Sequence, residues 1–132
     1  MKDQLPFAVH LTFNGSCRQA FQYYQSCFGG ELTMQSLAET PWASEMEDEL
    51  QKVIVWATLK NKYFKLVGSD LAGDASIVTG NNVSILVQCR SLSERQELIK
   101  KLKNKAIQPA IDADPLVNIV DMYRVNWILS IQ

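Results

Sequence analysis

Three features of the sequence predict an α+β fold: two β-α-β-β-β modules forming a curved, mostly antiparallel sheet around a cleft, with helices outside. First, the chain repeats an apolar pattern at an offset of 74 residues, so that Val9 falls on Val83, Leu11 on Ile85, Phe13 on Val87, Tyr24 on Leu98 and Phe28 on Leu102. Second, each repeat opens with a strand and continues into a helix that starts with a serine cap signature. Third, short strand-like runs bounded by glycine, asparagine and proline follow each helix. One module alone is too small to bury a full core, so the two must stack, within the chain or between chains.

The first strand is expected over residues 7–13, with Asn14-Gly15 turning the chain. Ser16 followed by Gln19 matches a capping box. The helix then runs to Phe28, with Ala20, Phe21, Tyr24, Cys27 and Phe28 on one face, and Gly29-Gly30 ends it. A second strand is expected over 31–37. Residues 38–50 form an acidic connection around Pro41-Trp42, mostly a solvated loop, with a short helix possible over 44–50. Strands over 52–59 and 63–68 make a hairpin round Asn61, and a Gly-, Asp- and Asn-rich stretch over 69–82 joins the halves. In the second half a strand over 83–89 leads to a second capping box, Ser91 with Glu94. A helix to about residue 103 then carries Leu92, Leu98, Ile99 and Leu102 on its apolar face. Strands over 106–111, 116–120 and 125–131 complete the chain. The division is one domain over 1–132, with modules at about 5–70 and 82–132 and a linker at about 71–81.

With 132 residues, 47% hydrophobic and 20% charged, the composition is that of one ordinary globular domain. A net charge of −1 with scattered Lys and Arg gives no basic face, so nucleic acid is not an expected partner. No apolar run reaches the roughly 20 residues of a membrane span. The first residues lack a secretion-signal core, so the expected location is the cytoplasm. Cys17, Cys27 and Cys89 have no metal-type spacing and fit reduced thiols.

The stretch Leu11-Thr12-Phe13-Asn14-Gly15, the helix end at Tyr24 and Phe28-Gly29-Gly30, Gly68-Ser69-Asp70, Asn81-Asn82-Val83-Ser84 and Asp121-Met122-Tyr123-Arg124-Val125-Asn126-Trp127 resemble the vicinal oxygen chelate superfamily. That superfamily includes glyoxalase I, bleomycin-resistance proteins and extradiol dioxygenases. Within it the chain is similar to the small bacterial branch called PhnB-like or 3-demethylubiquinone-methyltransferase-like. The resemblance implies paired modules, a cleft inside the sheet and a homodimer. In the metalloenzymes of the superfamily, four His, Glu or Gln side chains hold one divalent ion that polarises substrate oxygens. Carried over, those positions fall at Val9 or His10, near Lys65, near Asn82 and near Ile128, and a shift of one residue reaches only Phe64, Leu66, Asn81, Val83, Trp127 or Leu129. Only His10 is a good ligand, so no metal and no cofactor is expected. The chain also departs from the branch in its last hairpin: residues 112–120 hold no glycine, and Arg124 stands where the closing motif has one.

The candidate ligand-binding residues are Phe13, Trp42, Trp56, Asp70 and Trp127, four aromatics and a turn carboxylate, because small-molecule clefts are lined by aromatics with a few polar groups. Core packing accounts for the strand aromatics equally well, and turn aspartates commonly bond their own backbone. His10 is the one general-base candidate. By alternation it lies on the strand face opposite Val9, Leu11 and Phe13, and it points away from the cleft if that trio lines it. The expectation is a small-molecule-binding protein acting on a partly apolar ligand without the metal. The alternative is a divergent glyoxalase- or dioxygenase-like enzyme using His10 or a carboxylate.

Overall fold

The structure, a computed structural model, describes residues 7–41, 43–45, 47–70, 77–102 and 114–131. The fold class is α+β, as the sequence predicts. Its strands form two sheets, of four and three strands. By contacts the chain divides into two compact units, Met1–Gln25 with Gly29–Ile77, and Ser26–Phe28 with Val78–Gln132.

Unit 1 runs β1 (Val9–Phe13), α1 (Cys17–Phe28, whose last residues cluster with unit 2), β2 (Glu31–Ser36), α2 (Asp48–Gln51), β3 (Ile54–Lys60) and β4 (Lys65–Asp70). The sheet order is β1-β4-β3-β2, with β1 and β4 parallel and the other neighbours antiparallel. Alternation divides the strands cleanly. Leu11, Gly68, Ala57 and Met34 share one row of one face, and Leu66 and Leu59 the next. Helix α1 covers this face, for a Cβ on Gly68 would stand 2.5 Å from Cε1 of Phe21 and 2.9 Å from the Leu11 carbonyl oxygen. Glycine is therefore required where helix and strand approach most closely.

The start of α1 differs from expectation. Ser16 has φ −108° and ψ 11° and makes no side-chain cap bond. Asp70, distant in sequence, takes over the cap: its Oδ1 accepts from the amides of Gly15 (2.9 Å) and Cys17 (3.0 Å). The Gly29-Gly30 stop is as expected, both residues having positive φ, with Gly29 N–H donating to the Gln25 carbonyl. Asn61 organises the β3–β4 hairpin, its Oδ1 accepting from the amides of Tyr63 and Phe64 and its Nδ2 donating to the Gly29 carbonyl. The acidic connection holds two single 3-10 turns and the four-residue α2, with Glu39, Glu45, Glu47, Asp48 and Glu49 exposed.

Unit 2 contains β5 (Ile85–Cys89), α3 (Leu92–Leu102), β6 (Leu116–Val120) and β7 (Asn126–Ile131), with sheet order β5-β7-β6. The expected strand over 106–111 lies outside the described residues. As in unit 1, the first and last strands pair in parallel. The second capping signal forms with one change: Ser91 Oγ accepts from the Glu94 amide, and Glu94 Oε1 reaches back to the Arg90 amide, one residue before the cap. Val87, Cys89, Val117, Ile119, Trp127 and Leu129 alternate onto the buried face, against which α3 sets Leu98 and Leu102. Arg95 is buried on the same side of α3 and donates from Nη1 to the Asp114 carbonyl at 2.7 Å.

Candidate functional site: the uncovered face of the four-stranded sheet

Because the apolar alternation of β1, β3 and β4 points toward α1, the intervening residues point to the other face of the unit 1 sheet. His10, Trp56, Thr58 and Ser69 stand there. The ring of His10 lies 5.8 Å from that of Trp56, and His10 Nε2 is 3.2 Å from Ser69 Oγ. Trp56 remains 50% exposed. An indole left half in water on a sheet face that no described helix covers is an open stacking surface. Beside it, one hydroxyl and one imidazole supply hydrogen-bonding groups whose donor and acceptor roles follow the histidine tautomer. His10 thus occupies the open face, and Val9, Leu11 and Phe13 occupy the helix side.

Three of the sequence candidates do not reach this face. Phe13 is buried, edge-on to Phe21 at 6.1 Å. Asp70 is 8% exposed, and both of its oxygens serve the backbone: Oδ1 as described, and Oδ2 accepting from the Ile54 amide at 3.0 Å. One carboxylate therefore pins the start of α1 and the start of β3. Trp127 is fully buried, with its Nε1–H donating to Asp121 Oδ2 at 2.8 Å and its ring 4.8 Å from Phe28 within unit 2. Trp42 lies outside the described residues. Of the candidates, the structure brings together Trp56 and His10. Ser69, which the sequence reading passed over, joins them; two-residue alternation from the buried Leu66 was the signal that could have placed it.

Cys17 and Cys89 offer no nucleophile. Burial, and after it the nearby Asp70 charge, pushes the Cys17 thiol up to about 12. Burial also raises Cys89, with Glu94 adding to it. Both thiols stay protonated and inert near neutrality.

The positions matched to the superfamily's metal ligands do not make a donor set. His10 and Lys65 alternate onto the uncovered face of unit 1, Asn82 is exposed in a loop, and Ile128 is on the uncovered face of the three-stranded sheet. An imidazole, an ammonium, a carboxamide and an alkyl chain do not hold a divalent ion. Among the described residues, no three His, Cys, Asp or Glu side chains cluster where they could bind one.

A second concavity, lined by Gly15, Arg18, Gln19, Glu49, Lys52 and Asp70, opens beside the start of α1. Within it Lys52 is paired with Glu49 at 3.3 Å, and Asp70 Oδ1 accepts from the Gly15 and Cys17 amides.

No family model and no curated protein matches the chain. Solved structures do. Protein PA1353 from Pseudomonas aeruginosa is 26% identical over 98% of both chains, with a TM-score of 0.77. The PhnB protein from Bacillus cereus is 18% identical over 97% of this chain and 100% of its own, with a TM-score of 0.76. The fosfomycin resistance protein FosX from Listeria monocytogenes is 12% identical over 98% of this chain and 94% of its own, with a TM-score of 0.61. The fold is that of the vicinal oxygen chelate superfamily, to which PhnB-like, FosX and glyoxalase-like structures belong.

Proposed function

We propose that the protein binds a small, partly apolar molecule on the uncovered face of the unit 1 sheet, without the catalytic metal of the superfamily. The observation that carries this reading is Trp56, half-exposed beside His10 and Ser69. An aromatic surface with a few polar neighbours is what small ligands select, and the donor set argues against an ion. The three free, buried cysteines suit a reducing cytoplasm. An NMR screen of uncharged and charged fragments against ¹⁵N-labelled protein tests the reading. Binding fragments are expected to shift the Trp56 indole N–H and the amides of His10 and Ser69, and Trp56→Ala to weaken them. Fragments that bind with those signals unmoved would sink it.

We also propose a homodimer. On the uncovered face of the three-stranded sheet, Leu86, Leu116 and Val120 are all about half exposed, an apolar surface of the kind that copies of a chain cover.

The enzymatic reading is favoured by one contact, the 3.2 Å approach of Ser69 Oγ to His10 Nε2, which orients the imidazole on the open face. It expects His10 to take an acidic C–H proton from a bound ligand and to return one from solvent. In D₂O, ligand deuteration that His10→Ala abolishes would establish it; no exchange leaves the binding reading alone.

A further inference from the structure

The uncovered face of the four-stranded sheet changes character along its strands. Around Trp56 and His10 it is neutral, with Thr12, Gln35, Thr58, Ser69 and the buried, apolar Val67 as neighbours. At the hairpin end Lys60 stands directly opposite Lys65. Both alternate onto this face, because the adjoining Leu59 and Leu66 are buried toward α1. Like charges directly opposed across a ladder repel each other. Glu31 lies across from Lys60, yet neither lysine has an ion-pair partner among the described residues. Lys65 is also half-buried. His10 pairs with Val67, two residues from Lys65, which puts the cationic pair about 7 Å along the strand from the imidazole.

We propose that this face is selective for aromatic carboxylates. The ring stacks on Trp56 beside His10, and the carboxylate lies between Lys60 and Lys65, where it relieves their repulsion. The spacing suits a ring and an acid separated by a short linker. A neutral ligand finds the same stacking surface but leaves the two ammonium groups opposed. This inference rests on the binding reading above and adds the charge of the ligand to it.

The test compares 3-phenylpropionate with its uncharged analogue 3-phenylpropanamide, titrated at constant ionic strength into the full chain and followed at the Trp56 indole N–H. The acid is expected to bind about tenfold more tightly, the size of one charge-assisted hydrogen bond. In the double variant Lys60→Gln, Lys65→Gln the acid should fall to the level of the amide, with the amide unchanged. Equal binding of acid and amide by the wild type would overturn the carboxylate inference and leave the binding reading standing. A preference for the acid that survives the double variant would overturn it too. If neither compound moves the Trp56 signal, both the inference and the binding reading fall.

Discussion

Single carboxylates do much of the organising in each unit. Asp70 gathers the amides of Gly15, Cys17 and Ile54, and Asp121 gathers those of Tyr123 and Val125 together with the Trp127 indole. Removing such an acceptor strands several buried donors at once. Asp70→Ala is expected to lower stability by at least about 3 kcal/mol, at roughly 1–3 kcal/mol for each orphaned amide. Asp70→Asn keeps one acceptor oxygen but sets an NH₂ group against the Ile54 amide, so it should fall between wild type and alanine. Urea denaturation measures both; an Asp70→Ala protein as stable as wild type would contradict the latch. Beside it, Cys17 makes a pH prediction. Its folded-state pKa of about 12 lies above the ordinary 9.0. The folded protein therefore holds a proton that the unfolded chain releases, and the contribution is complete below about pH 9 and lost as pH rises toward 12. Between pH 9 and pH 10 wild type should lose about 1 kcal/mol more than Cys17→Ala does. Parallel losses would remove Cys17 from the account.

At the scale of the element, the close contact of α1 with β4 is decided at Gly68. Gly68→Ala drives a methyl into the Phe21 ring and the Leu11 carbonyl oxygen. Overpacking of this kind costs about 1–3 kcal/mol, measurable as a lower urea midpoint with unchanged m-value, and an unaltered midpoint would mean that α1 can shift freely. The β6–β7 turn makes the opposite prediction. Arg124 has φ +67°, held by the hydrogen bond that its amide donates to the Asp121 carbonyl, so it keeps a glycine-like backbone conformation with an arginine side chain. Arg124→Gly should stabilise the protein by about 1 kcal/mol by removing that strain; a loss of stability would mean that the side chain holds the turn by other contacts. Several elements were legible in sequence because their signals are local: alternation for β3, β5 and β6, Ser91 with Glu94 for the start of α3, Gly29-Gly30 for the end of α1. The α1 cap was not, since its acceptor Asp70 lies over fifty residues away and Ser16 imitates it locally. Buried Arg95 had a signal, three residues from both Leu92 and Leu98, but charge argued against burial until the Asp114 carbonyl supplied a partner.

At the scale of the molecule, the two units share a plan and differ in what their uncovered faces display. The offset of 74 residues matched core to core: Tyr24 and Leu98, and Phe28 and Leu102, are all buried. The same alternation sets the opposite faces, and there the repeat breaks down. Unit 1 shows His10, Trp56 and Ser69, and unit 2 shows Leu86, Leu116 and Val120. The candidate face proposed as the site was therefore half legible. Trp56 and His10 could be named from residue type, but Phe13, Asp70 and Trp127 are of equally suggestive type, and only the direction of the helix separates the two groups. The apolar face of unit 2 leads to the remaining prediction. Each of its half-exposed aliphatic chains would gain roughly 1 kcal/mol if the rest of its area left water, and the proposed second copy of the chain would cover several at once. Sedimentation equilibrium at micromolar protein should return twice the 14.9 kDa chain mass. Leu116→Glu with Val120→Glu places two carboxylates on that face and should return the single mass, with the far-ultraviolet spectrum unchanged because neither side chain packs in the core. A wild-type protein that sediments as one chain would remove the dimer, and a dimer that survives both charges would place its interface elsewhere.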